Sequence, residues 1–312
     1  MPSFVDLNGL QTFKSEFNKE LSTYATKTEV SETYVSKADF DRKINAVRYG
    51  YRIDKNESDP DLRVEYIYDA AGMNPAHMVF DTDTTAGTDS DSSYFDYGSW
   101  ESVWFVRDNK PCMLKSDGSV DYYLDPDDYS KKANGETDTD IANSDYDGNA
   151  MAQIPLCWVY RYEDDNYLYE IISNVQWDEN YKAYAHTRAD GSIADYFFEG
   201  IFHATGNASK LRSLSGISTV TTALNMSQQV AAATANGSGW YIDSWSRYQL
   251  IRTLLVLISK STDTQKAFGN GLYGSNTLTG SLNDKGQFFG YSSTNKQVKV
   301  FHIEDFWGHK MQ

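Results

Sequence analysis

The chain has 312 residues, 40% of them apolar, a formal net charge of −16 and 14% aromatics, including 23 Tyr and 7 Trp. That apolar share supports a real core and excludes a disordered chain. The acidic excess argues against a protein that wraps nucleic acid or holds an anionic membrane surface, since both need clustered Lys and Arg.

The first ten residues, MPSFVDLNGL, carry neither a basic segment nor an apolar run of signal-peptide type. The longest apolar run, Leu254 to Ile258, is far too short to span a bilayer. No membrane insertion is expected, and the chain is expected to be made and kept in a cytoplasm or released by lysis.

Residues 1–47 form a segment of their own, with no Cys or Trp and a single Gly. Leu10, Phe13, Phe17, Leu21 and Tyr24 recur at spacings of 3, 4, 4 and 3, which predicts one apolar helical stripe. A narrow stripe with nothing nearby to bury it asks for a partner helix, such as the same segment of another copy. Two units then repeat at ten-residue spacing: Thr23-Tyr-Ala-Thr-Lys-Thr-Glu-Val30 and Thr33-Tyr-Val-Ser-Lys-Ala-Asp-Phe40. Thr26 with Glu29 fits a capping box, and Ser36 with Asp39 approximates one. Ten residues do not close whole helical turns, so the pattern predicts short, re-started helices rather than a long coiled coil.

These repeat units resemble the stalk repeats of bacteriophage fibre proteins. The resemblance implies a homotrimer assembled through Leu10, Phe13, Phe17, Leu21, Tyr24, Val30 and Phe40, with residues 1–47 as stalk and virion anchor.

From Tyr49 the texture changes. Strands are predicted at Arg63–Tyr68, Ser102–Val106, Leu156–Tyr160, Leu168–Ile172 and Val298–Ile303. Long polar loops lie at Asp81–Ser93 and Asp125–Asn149. A helix is predicted within Val220–Ala235. A second, apolar on most sides and therefore buried, is predicted at Trp245–Ser259, capped by Asp243 or Ser244. The chain then becomes Gly-rich around Phe268-Gly-Asn-Gly271, Tyr273, Gly274 and Phe289-Gly290-Tyr291.

Chemistry-bearing patterns are sparse. Cys112 and Cys157 have no metal spacing; two isolated buried thiols are expected, with a disulfide between them the alternative that sequence leaves open. The five His show no HExxH or paired spacing, and no G-x-S-x-G occurs. Gly269 to Gly274 fits G-x-G-x-x-G in letters only, because it neither follows a strand nor opens a helix. Asp138, Asp140, Asp145 and Asp147 offer calcium-type oxygens but fail the EF-hand order. Adjacent acid pairs at 127–128, 164–165 and 304–305 read as solvated loop charge. No catalytic residue, metal or cofactor is assigned, and the protein is not expected to be an enzyme.

Gly50 to Ile53, Asp69-Ala-Ala-Gly-Met73, Asp263-Thr-Gln265, Phe268-Gly-Asn-Gly271 and Val300-Phe-His-Ile-Glu-Asp-Phe-Trp-Gly308 together resemble a family of phage structural proteins. That resemblance implies an α+β chain: a helical trimerising stalk, then a C-type-lectin-like or sulfatase-modifying-factor-like mixed α+β domain with long loops over 48–312. In such proteins further strands follow, so the chain is expected either to be a fragment or to end with Trp307 as a plug. It further implies a virion location, assembly in the host cytoplasm, and partners among other virion proteins and host surface glycan or protein. A tail-fibre or head-fibre role in host attachment is the expectation, with aromatic contacts from Tyr273, Tyr291 and Trp240. A virion scaffold without receptor binding and a tail-borne depolymerase stay open as alternatives.

Overall fold

The computed structural model describes residues 45–80, 93–207, 209–218, 224–272, 278–292 and 296–308, together with residues 15 and 43. The expected assembly residues Leu10, Phe13, Phe17, Leu21, Tyr24, Val30 and Phe40 lie outside the described residues, as do Tyr273 and residues 81–92. The chain divides into two compact units, Met1–Val47 and Arg48–Gln312.

The second unit is mixed α+β and mostly sheet. Its first sheet has the order β2-β1-β9-β8, from β1 (Arg48–Asp54), β2 (Val64–Tyr68), β8 (Trp158–Glu163) and β9 (Tyr167–Ser173), all antiparallel. Alternation sets its two faces. One register row runs Tyr66, Tyr51, Glu170, Arg161 across the four strands. The Tyr51 hydroxyl donates to Glu170 at 2.5 Å, and Arg161 pairs with the same carboxylate at 2.6 Å, so the buried charge is compensated. On the other face Gly50 lies between Ile67 and Ile171. A Cβ there would sit 2.9 Å from Ile67, which is why the strand has no side chain at that point. Beyond it, Tyr162 stacks on Tyr160 and Tyr169 at 4.8 and 4.4 Å.

The second sheet has the order β10-β7-β5-β6: β5 (Lys110–Lys115), β6 (Val120–Tyr123), β7 (Gly148–Pro155) and β10 (Tyr196–Gly200). Strand β7 is buried along nearly its whole length, on both faces. Three two-stranded ribbons complete the sheet content: β3 (His77–Val79) with β4 (Tyr94–Asp96), β11 (Thr205–Asn207) with β12 (Lys210–Arg212), and β13 (Lys299–Val300) with β14 (Ile303–Glu304).

Among the described residues there are four α-helices: α1 (Trp104–Arg107), α2 (Met226–Thr234), α3 (Trp245–Ser259) and α4 (Thr264–Phe268). None is long and apolar enough to cross a membrane. Helix α3 occupies the predicted span. Ser244 caps it by accepting from the Arg247 N–H, and Leu250 to Ser259 are buried apart from Arg252. It joins the inner face of the first sheet: Tyr66 donates to the Ile258 carbonyl, and Arg161 to Thr253. The main core forms there, from Tyr51, Val64, Ile172, Leu254, Leu257, Phe268, Phe288 and Val300 among others.

Several expectations need correction. Residues 102–106 are not a strand; Trp104–Arg107 form one helical turn that buries the adjacent Phe105 and Val106, which alternation cannot do. Residues 298–303 are not one strand either. Phe301 and His302 adopt left-handed φ of 49° and 67°, the two-residue turn that folds β13 back on β14. Helix α2 lies inside its predicted window and needs no correction; Asn225 and Gln228 form the capping box that opens it. The polar stretch 125–149 is built rather than loose: bridges join Leu124 to Lys132 and Lys131 to Asp138, and its end enters β7. Glu304 and Asp305 are not solvated, since each is 3% exposed. Both cysteines are buried free thiols.

Candidate functional site

The C-terminal end of α3 opens into a cleft of about 700 Å³, lined by Asp61, Pro75, His77, Met78, Phe80, Ser259 to Ser261, Asp263, Gln265 to Ala267, Asn270 and Ser292. Four segments meet there for identifiable reasons. The Ala76 N–H donates to the Ile258 carbonyl at 2.7 Å and carries the chain into β3. Lys260 then turns left-handed (φ 54°) and ends α3. Ser261 accepts from the Asp263 N–H, and Asp263 caps α4 through the Lys266 N–H at 3.0 Å. Finally, residues 268–270 press against 290–292. A Cβ on Gly290 would lie 1.9 Å from the Phe268 carbonyl oxygen, and one on Gly269 2.9 Å from the Tyr291 nitrogen. The Gly-rich texture is therefore a close crossing of two backbones, tied by Asn270 to the Tyr291 and Ser292 carbonyls.

The cleft has an apolar floor in Pro75, Met78, Phe80 and Ala267 and a polar rim. Lys260 and Lys266 balance Asp61 and Asp263. Lys266 is ion-paired with Asp61, and that hydrogen bond, with a second from Ser261, holds the Asp61 carboxyl below the usual range. The Lys260 ammonium has no hydrogen-bond or ion-pair partner among the described residues and rests 5.6 Å from the Tyr66 ring. The Gln265 amide and the exposed His77 ring are likewise uncommitted among them. Free donors and acceptors above an apolar floor suit a small polyhydroxylated ligand.

The residues chosen from sequence divide. Ser292, beside Tyr291, lines the cleft, while the Tyr291 ring packs edge-on against Phe289 at 5.0 Å. Trp240 lies elsewhere. Its indole N–H donates to the Ser116 carbonyl at 2.9 Å, and its ring packs on Cys112, Leu114 and Met151. Lys260 and Met78 were not singled out in sequence, and Gln265 only as part of the resemblance and not as a site residue; a Lys followed by Ser and an Asp cap marks a helix end and nothing more.

The calcium-type carboxylates diverge: Asp138 pairs with Lys131 at 2.5 Å, Asp140 accepts from Tyr122, and Asp147 accepts from Ser116. Among the described residues no group of three or more metal-ligating side chains gathers. The densest set of perturbed groups is Lys299, Glu304, Asp305, His302 and Tyr129, each at most 3% exposed. The Gln297 amide donates to both carboxylates at 2.6 and 2.7 Å, and Tyr129 meets His302 Nδ1 at 2.6 Å. Burial pushes His302 down to about 3 and Asp305 up to about 7. This set fastens the final hairpin inside the core, out of reach of a ligand.

No family model, curated protein or solved structure matches the chain.

Proposed function

We propose that the protein is a bacteriophage fibre of the homotrimeric type, with a C-type-lectin-like globular unit that attaches to the host by binding a surface saccharide. The cleft at the end of α3 carries the saccharide reading: its rim is charge-balanced, with two Lys and two Asp, its floor is apolar, and Lys260 and Gln265 are uncommitted. Sugars present both hydroxyls and apolar C–H faces, so they match such a lining better than an anion does on a chain of net charge −16. The paired repeats at Thr23–Val30 and Thr33–Phe40 carry the fibre reading.

Binding without cleavage is favoured over a depolymerase by the state of the carboxyls. A glycosidase needs one carboxyl of raised pKa and a second about 5–9.5 Å away. In the cleft Asp61 is ion-paired and shifted the opposite way, and Asp263 is a helix cap. Calorimetry of the intact chain with isolated host surface polysaccharide tests the reading. Saturable heat without reducing-end release is expected. Release of reducing ends would establish the enzyme alternative, and no binding to any host surface fraction would favour a virion scaffold.

A further inference from the structure

At the opposite end of α3, about 20 Å from the cleft by the length of a 15-residue helix, an aromatic stack runs out of the core. Phe306 stacks on Tyr248 (5.1 Å, 18°), and Tyr248 on Trp245 (5.6 Å, 23°). Phe306 and Tyr248 are half-buried, whereas Trp245 is 72% exposed. The stack ends with one indole face held rigidly from beneath and the other in solvent. Tyr241, four residues earlier, is 63% exposed.

A carboxyl pair lies beside this end of the helix. Glu199 on β10 hydrogen-bonds Asp243, and Arg247 interacts with both. The Arg247 guanidinium also sits 5.0 Å over the Phe197 ring. Burial, then the Asp243 charge, push Glu199 up to about 8. Two carboxyls in hydrogen-bond contact share a proton, so the pair can both donate and accept. Asp243 is exposed as a residue, and its Oδ1 accepts from the Ser244 N–H at 2.6 Å.

We infer that the open face of Trp245 is a second saccharide subsite, which takes the C–H face of a neutral pyranose while Glu199, Asp243 and Arg247 serve its hydroxyls. The inference rests on the saccharide reading above and extends it to two subsites on one unit. The electron-rich indole face attracts polarised C–H groups. A protein partner fits less well. Two partly exposed aromatics offer only about 300 Å², against about 800 Å² per side for a stable interface. Their neighbours Asp243, Ser244 and Ser246 are polar. The carboxyl pair is in hydrogen-bond contact, closer than either spacing for glycoside cleavage, so this end also binds rather than cuts.

Tryptophan fluorescence of the intact chain, titrated with glucose, galactose, N-acetylglucosamine and their β-linked dimers, tests it. No Trp lines the cleft, so the part of a saturable change that is lost with Trp245 reports the Trp245 end. The expected result is a saturable change that Trp245→Phe removes, calorimetric affinity about tenfold weaker in Trp245→Ala, and an unchanged fluorescence response in the cleft variant Lys260→Gly. Light scattering should give the same mass for wild type and Trp245→Ala. No saturable change with any sugar, a full response in Trp245→Phe, or a lower mass for Trp245→Ala would each overturn it, the last by making Trp245 a subunit contact. If the Trp245 response fails while calorimetric binding lost in Lys260→Gly persists in the wild type, the second subsite alone is wrong. If both fail, the saccharide reading is wrong.

Discussion

Lys260 holds a left-handed backbone (φ 54°, ψ 33°) at the end of α3, a conformation that glycine adopts at no steric cost. A side chain there costs about 1–2 kcal/mol, and its contact with Tyr66 returns about 0.5 kcal/mol. Lys260→Gly is therefore expected to raise stability by roughly 0.5–1.5 kcal/mol in a urea titration while weakening saccharide binding in the cleft. A gain in stability with unchanged affinity would remove Lys260 from the site. Glu199 makes a second residue-scale test. Its folded carboxyl keeps a proton up to about 8, whereas an ordinary one releases it near 4.5. Between those values the native state binds more protons than the unfolded state, so raising the pH favours unfolding. Wild type and Glu199→Gln should track each other at low pH. From there to about pH 8 the wild type should lose ground steadily. Equal slopes in paired urea titrations at pH 4, 6 and 8 would show that Glu199 is not protonated in the fold.

At the scale of elements, α3 is the member that the rest of the unit is built around. Leu254 is 0% exposed within it, so Leu254→Ala is expected to cost about 2–5 kcal/mol; a loss well under 1 kcal/mol in chemical denaturation would show that the helix is not central. The crossing of 268–270 with 290–292 has no room for a methyl group. Gly290→Ala should cost about 1–3 kcal/mol through forced backbone separation, read as a lower melting temperature with reduced cleft binding. Helix α3 was legible because its apolar residues fall on most sides of a fifteen-residue span opened by a Ser cap, which admits few other readings. The β2 and β9 strands were legible through tyrosine and β-branched enrichment. Strand β7 was not, since it is buried on both faces and spelled Gly-Asn-Ala-Met-Ala-Gln-Ile-Pro, without alternation. The hairpin at Phe301–His302 was hidden because neither turn residue is Gly or Asn. The cleft floor, Met78 and Phe80, lies some 180 residues from α4 in sequence, and Glu199 is far from Asp243. Only tertiary pairing brings such residues together, so the sequence marked Tyr291, the neighbour of Ser292 on the rim, but not the floor or the carboxyl pair.

At the scale of the whole molecule, the proposed trimer would carry three copies of each subsite. Linked weak sites gain about 10²–10⁴-fold in avidity when geometry permits simultaneous engagement, so modest affinity per site suffices. Light scattering should give three times the chain mass for the intact protein and one for a chain starting at Tyr49. Phe17→Asp, which puts a charge into the apolar stripe, is expected to abolish assembly while leaving the far-ultraviolet dichroism of the globular unit intact; a variant that assembles normally would remove the stripe from the interface. The position of β1 adds a mechanical consequence. It is the first strand after residue 47 and lies inside its sheet, joined to β2 by five register pairs and to β9 by seven. An edge strand under tension can peel from one neighbour, bond by bond. A pull that arrives along the chain at Arg48 instead loads two ladders at once, one of them to a strand more than a hundred residues downstream. The strand that would receive a pull from residues 1–47 is thus held by ladders on both sides, and in the proposed fibre a load carried along the chain would be resisted there first.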